Sequence, residues 1–394
     1  MKNKKALVQK EKTKFKELLP YLIVMAISLI ILVVLIALRT STEVCEFMTK
    51  NVSGNINFVA NKVASVFPFS LFEAFVITCI VILVALIVLL IVLLVKKRFM
   101  LVVKSVVLIG SICVLFGAYY VLVAGFAYNR NPVEPFYPES VEYYEFYKIV
   151  KYYKEDFDYL SEKLSRDENG MTICPYTNEE LNVLLKAECQ RLDSSYYNVK
   201  ACFNVKPLKV LSGFFSSNGI SGITFTPSGD SGYVKDQPSV EISYTALHEM
   251  MHSIGVMREN EANAVSCYLL ISSENEYLRY AGYFGYYRYL LNALSLNYDK
   301  DEYSQVLVNA KVSKETAQMN DYWASQSSLF DKVGDFFNNL YLKLSGEKNG
   351  TDSYREPSVS GGVEKVEGDR VFVEVKYNSF QQAFIRAYYD KNGK

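Results

Sequence analysis

His248-Glu249-Met250-Met251-His252 is the stretch on which the reading of this chain turns. On a helix, positions four apart lie one turn apart on the same face, so both imidazoles can present a nitrogen to one metal ion. Where such a pair holds zinc, the ion lowers the pKa of a bound water, and a neighbouring glutamate takes its proton as the water attacks a carbonyl. We therefore expect His248 and His252 to be zinc ligands and Glu249 to be the general base. The chain has 2 histidines in 394 residues and both fall inside this window, so the spacing does not come from a histidine-rich composition. A structural zinc more often closes its fourth position with cysteine. The nearest, Cys267, reads as a core residue of the following helix.

A catalytic zinc usually has three protein ligands and an open water position. Gly255 ends the first helix, and Arg258-Glu259-Asn260-Glu261-Ala262-Asn263 opens the next, offering two carboxylates within a turn of the histidines. We choose Glu259. In thermolysin-like and related zincins the ligand glutamate is followed four residues later by an Asp that supports a ligand histidine, and Glu259 to Asn263 has that offset. Asn263 is thus the expected supporting residue, and Glu261 stays open as the alternative ligand. A metzincin would need a third histidine where this chain has Arg258, which excludes that class.

Ahead of the motif, between Lys209 and Val240, short apolar runs (LKVLSGFF, then GITFTP) alternate with Ser, Gly and Asp-rich turns and predict a small sheet. Residues 140–165 predict an amphipathic helix rich in Tyr and Phe. Thr177 with Glu180 forms a capping-box pattern before a second helix that runs to about Leu192. Helices resume from about Ser243 to Leu344, and Arg370 to Val375 alternates as a strand does.

Further upstream the chain becomes a membrane protein by composition. Residues 1–19 carry seven lysines, and from Pro20 to Leu38 no charge occurs over a length that crosses a bilayer as a helix. Further apolar runs cover 71–95 and 105–127, so three spans are expected over 20–127. A cleaved signal peptide is a poorer reading of the first, since its apolar run is too long and no small-residue cleavage pattern follows. Basic residues concentrate in the N-terminal 19 residues and in Lys96-Lys97-Arg98 with Lys104, whereas the loop 39–70 has only Arg39, Lys50 and Lys62. Cytoplasmic segments retain Lys and Arg. The N-terminus is therefore expected in the cytoplasm and the domain from 128 to 394 on the outer face of the cell membrane. The motif lies more than a hundred residues past the last span, which speaks against an intramembrane protease.

The 42 basic and 42 acidic residues cancel, which excludes the broad basic surface that nucleic acid selects. The expected partners are a peptide or protein substrate and the lipid bilayer. Seven cysteines show no CxxC or similar tight spacing, so buried free thiols are preferred to a disulfide framework.

The run HEMMHSIGVMRENEAN resembles the HExxHxxGxxxExEAN signature of the bacterial domain of unknown function 3810 family, predicted membrane zincins. Phe67-Pro68-Phe69-Ser70, Tyr128-Asn129-Arg130, Arg279-Tyr280-Ala281-Gly282-Tyr283, Asn338 to Lys343 and Ser353-Tyr354 resemble further landmarks of it. The family often has Pro-Phe-Thr ahead of the motif, where this chain has Ile242-Ser243-Tyr244-Thr245, and the region after Tyr354 is diverged. The resemblance implies an α+β, gluzincin-like fold: three N-terminal transmembrane helices, then a mostly helical zincin-like metallopeptidase domain with a small β-sheet. It also implies Arg279, Tyr341 or Tyr354 as transition-state stabilisers, against which the abundance of Tyr favours plain core packing. The strand near Gly222 to Thr226 is an expected edge strand for an extended peptide. The rival to a zinc-dependent peptidase is a non-catalytic membrane sensor or scaffold that keeps zinc for structure.

Overall fold

An apolar run in lipid must satisfy every backbone N–H within its own segment, so the three runs upstream form helices. A computed structural model describes residues 2–133, 141, 143–295, 300–326, 339, 343, 350, 363–367, 370–374 and 377–393. Helix α1 (Lys2–Leu38) continues through Pro20. The short α2 (Thr42–Met48) and α3 (Gly54–Ser65) follow, then α4 (Leu71–Val95) and α5 (Phe99–Tyr120), which runs on as a π-turn to Gly125. Phe15–Leu38, Leu71–Val95 and Phe99–Gly125 are long and apolar enough to cross a membrane. The third begins six residues before the expected 105. Lys104 is tolerated there because its ammonium reaches Glu17 of α1 at 2.8 Å.

The segment 39–70, expected only as a loop, is mostly helical and packs one face against the rest of the chain. Asn57 donates to Val123 O (2.9 Å) and Asn61 to Ala201 O (2.8 Å), so polar side chains become interior ones by finding distant carbonyl partners.

Beyond the spans come α6 (Tyr143–Lys163), α7 (Asn178–Cys189), β1 (Lys206–Leu208), α8 (Ser212–Ser217), β2 (Gly222–Phe225) and β3 (Asp230–Val234). Then follow α9 (Ser239–Ser253), α10 (Glu259–Ile271), α11 (Glu276–Leu294), α12 (Lys300–Val306) and α13 (Ala310–Gln326). A hairpin, β4 (Val363–Glu367) with β5 (Arg370–Glu374), and a C-terminal helix Ser379–Asn392 close the chain. This is the expected α+β arrangement: mostly helical, with a small sheet. The Thr177–Glu180 capping box is present and starts α7 one residue later.

The sheet has the order β1-β3-β2, with β3 parallel to β1 and antiparallel to β2. One expectation is corrected here. The run LKVLSGFF is not a strand: β1 ends at Leu208, and Ser212 to Ser217 is helical. The cause is remote in sequence. The Glu73 carboxylate, in the first turn of α4, accepts the N–H groups of Lys209, Val210 and Leu211 at 3.0, 2.6 and 2.7 Å and turns the chain into α8.

The core lies among α6, α7, α9, α10, α11 and the C-terminal helix. Its largest fully buried side chains include Tyr277, Tyr280, Tyr283 and Tyr287 of α11. A buried phenol needs a partner for its hydroxyl. Tyr277 donates to Ser239 O, Tyr287 to Val306 O, Tyr280 to Glu315 and Tyr283 to Asp156. These pairings tie α11 to α6, α9, α12 and α13, and so hold it against α9, which carries the two histidines. All seven cysteines are free thiols.

Candidate metal centre

Helix α9 ends in a Schellman turn: Val256 N–H bonds to Met251 O at 3.0 Å and Gly255 N–H to His252 O at 3.1 Å. Gly255 has φ +98°, a left-handed conformation that a side chain would strain. The turn brings Val256 O back over the helix, where it lies 2.8 Å from His252 Nδ1. That carbonyl can only accept, so Nδ1 carries the proton and Nε2 is left with its lone pair for a metal.

The chain then extends through Arg258 and re-enters a helix at Glu259, the first residue of α10. Glu259 Oε2 stands 3.2 Å from His248 Nε2 and 3.6 Å from His252 Nε2. The two imidazole rings are perpendicular, with centroids 4.6 Å apart. His248, His252 and Glu259 each offer one ligand atom to a group that lies within 4.8 Å.

The fit to a metal can be tested on this arrangement. Glu259 Oε2 is buried and makes no hydrogen bond, because neither imidazole approaches it in donor geometry. Such an orphaned acceptor is costly unless something occupies the space in front of it. Ligand atoms about 2.0–2.1 Å from a tetrahedral ion sit roughly 3.3 Å from one another, close to the distances found here. Two imidazole nitrogens and one carboxylate oxygen suit zinc or another first-row ion, whereas calcium takes six or more oxygens. The residues fit.

Without a metal, the site holds charge in tension. Burial would raise the Glu259 carboxyl, but attraction to His252 and His248 holds it well below the usual carboxylate range. Burial would lower His252, yet Glu259 and then Glu249 push it up to about 9. A metal would compete with that proton for the same atoms.

Glu249 lies against strand β2. Burial raises its carboxyl above the usual range, against the lowering pull of His252, His248 and Thr224. Thr224 Oγ is 2.7 Å from Glu249 Oε2 and donates to it, since the carboxylate is the strongest acceptor in reach. Ser231 Oγ lies 2.8 Å from Thr224 Oγ and 3.0 Å from Ser253 Oγ, which closes the chain by donating to Glu249 O. Gly222 is the other support. A Cβ on it would stand 2.7 Å from Glu249 Oε1, so only glycine lets β2 lie this close to α9.

His248, Glu249, His252, Glu259 and Asn263 line one cavity of about 720 Å³, with Gly222, Ile223 and Thr224 of β2 on its wall. β2 is an edge strand, as expected, and pairs only with β3 among the described residues. Asn263 lies on the cavity, but among the described residues no hydrogen bond joins it to either histidine; His252 is held by Val256 O, and His248 Nδ1 has no partner. Glu261 is turned away and pairs with Arg258. Arg279 is engaged by Asp156 at 2.7 Å and does not line the cavity. Tyr341 and Tyr354 lie outside the described residues, as do most of the landmarks from Asn338 to Lys343 and Ser353-Tyr354. The residues that sequence reading missed are Thr224, Ser231, Ser253 and Val256. The faint signal for the first was a glycine two residues earlier in a strand, which often marks a close backbone approach.

The chain matches the family described as protein of unknown function (DUF3810) over residues 49–357. No curated protein and no solved structure matches it.

Proposed function

We propose that this chain, which belongs to the DUF3810 family, is a membrane-anchored zinc metallopeptidase. The observation that carries the reading is the convergence of His248 Nε2, His252 Nε2 and an orphaned Glu259 Oε2 beside a buried carboxylate, all on one cavity. Zinc held by these three residues would supply Lewis acidity and acidify a bound water. Glu249 would accept one proton from the attacking water. As the water oxygen bonds to the carbonyl carbon and the C–N bond breaks, Glu249 would deliver that proton to the leaving nitrogen, and the water's second proton would pass to it as well, so a carboxylate and an ammonium group result. Burial raises the affinity of Glu249 for a proton, the direction that helps it accept one and carry it to the leaving nitrogen. Thr224 fixes one carboxylate oxygen and leaves Oε1 toward the cavity side of Gly222. The edge strand β2 offers backbone groups for an extended substrate. The spans anchor the domain, with the lysine-rich N-terminus in the cytoplasm and residues from 128 onward outside.

Replacing Glu249 by Gln tests the assignment. Metal content measured on the purified chain should stay near one per molecule, while cleavage of a peptide library disappears. Unchanged cleavage would refute the role of Glu249; zinc without any cleavage by the unaltered chain would favour a structural site instead.

A further inference from the structure

We infer that the metal cavity opens at the lipid surface, with Val210 and Phe214 in contact with lipid, and that its substrate is a membrane-anchored polypeptide cut a few residues from the bilayer. The substrate half of this inference rests on the peptidase reading above.

Three ties hold the cavity to the outer ends of the spans. Phe225, the last residue of β2, packs on Phe72 and Phe75 of α4, with ring centroids 5.2 and 5.1 Å away, and on Phe116 of α5 at 6.5 Å. The Glu73 carboxylate holds the turn before α8 at the level of the first turn of α4. On the far side, Arg258 Nε donates to Tyr128 O at 3.0 Å, and Tyr128, just after the third span, lines the cavity.

The cavity wall and the span-anchored cluster also share residues. Phe215, Ile220 and Ile223 line the cavity and pack in the cluster that includes Phe72 of α4. Next to this wall, Val210 and Phe214 are 66% and 60% exposed, and Val66 and Phe69, just before α4, are 77% and 46% exposed. Large apolar side chains exposed together, at the level where apolar helices leave the domain, form a surface that lipid covers. Lipid is chosen over a second protein because the patch is continuous with α4, whose own apolar side chains are exposed along the span.

The distance follows from strand geometry. Phe225, on the spans, is one residue from Thr224 and three from Gly222, which both lie against Glu249, so the reach is at most about 10 Å at ~3.3 Å per residue. An extended chain leaving the bilayer beside β2 reaches Glu249 within about three residues. A folded soluble protein would have to bring a scissile bond to the same depth past a rim that lies in lipid.

The test uses the full chain, zinc-loaded, in liposomes, with a repeating peptide presented either free or behind a transmembrane anchor. The anchored peptide should be cut within about six residues of the anchor whatever the length of the repeat. Its kcat/KM should exceed that of the free peptide by at least about tenfold. Cuts scattered along the repeat, or equal rates on both peptides, overturn the inference. If neither peptide is cut, the peptidase reading fails and the substrate inference with it, and a second readout still decides the lipid contact. In Phe214→Trp, brominated lipid should quench the added tryptophan and spare Trp323, the chain's own single tryptophan. Equal emission in brominated and ordinary lipid would show that position 214 does not meet the bilayer and overturn the placement.

Discussion

Gly222→Ala asks whether β2 sets the position of the proposed base. The new methyl would lie 2.7 Å from Glu249 Oε1, 2.7 Å from Thr245 Cγ2 and 3.0 Å from Glu249 Cγ. Ordinary contact needs about 3.5–4.0 Å, so strand or side chain must give way by roughly an ångström. Overpacking of this kind costs about 1–3 kcal/mol in stability. A displacement of that size at a reacting group costs on the order of 100-fold in kcat. The three atoms nearest the new methyl belong to Glu249 and Thr245 and none to His248, His252 or Glu259, so metal content should not change. A double-mutant cycle separates the cause from general damage. In a Glu249→Ala background two of the three clashes vanish, and the stability cost of Gly222→Ala should fall by about 1 kcal/mol. Thermal unfolding of the four proteins in detergent measures this, with metal analysis alongside. An equal cost in both backgrounds, or full activity of Gly222→Ala, would refute the idea that β2 positions Glu249.

Further expectations follow from the same geometry. Glu259→Ala should abolish zinc binding, while Glu261→Ala, which removes the partner of Arg258, should leave it intact; metal analysis showing the reverse would reassign the ligand. Glu241 titrates at about 7 because it is buried, despite donation from Trp323 Nε1 (2.8 Å) and the pull of Tyr244 and Arg288. Its folded pKa is above the unfolded one, so the folded state holds an extra proton between about 4.5 and 7 and loses stability as pH rises through that window. The stability of Glu241→Gln relative to the unaltered chain should therefore grow by roughly 2.5 kcal/mol from pH 5 to pH 8, and a constant difference would contradict the buried ionisation. Lys206 Nζ donates to Ala64 O, Phe69 O and Asp230 Oδ1 at 2.8, 3.1 and 2.9 Å, and the Asp230 side chain is only 2% exposed. Lys206→Met strands a buried carboxylate and should cost about 3–5 kcal/mol in thermal or denaturant unfolding; a cost below about 1 kcal/mol would show the pair to be solvated.

What was legible in the sequence is what local rules control. The spans follow from length and lack of charge, α9 from the His248–His252 spacing, and α7 from its Thr177–Glu180 cap. Glu259 and Glu261 could not be separated by spacing. Their separation depends on where α10 begins: with Glu259 as first residue, Glu261 lies two positions and about 200° further round, so only one of them faces the histidines.

The rest was hidden because its cause lies far along the chain. The central strand β3 reads Asp-Ser-Gly-Tyr-Val, a turn by composition, yet all five residues are buried. Each polar one is answered from elsewhere: Asp230 by Lys206 and by Ser70, 160 residues before it, and Ser231 by Thr224 and Ser253. The same holds for α8, an apolar run made helical by Glu73, and for Asn57 and Asn61, whose partners are 66 and 140 residues away. These long-range polar pairs concentrate where the spans, the sheet and the metal cavity meet. A polar group is buried only if its partner is supplied, so several of them at one junction fix its geometry more narrowly than apolar packing would. The position of Glu249 depends on that junction: β2 is pinned to α4 and α5 at Phe225 and to Glu249 at Thr224. Movement of the spans relative to one another would therefore reach the proposed base through a single step of strand, from Phe225 to Thr224.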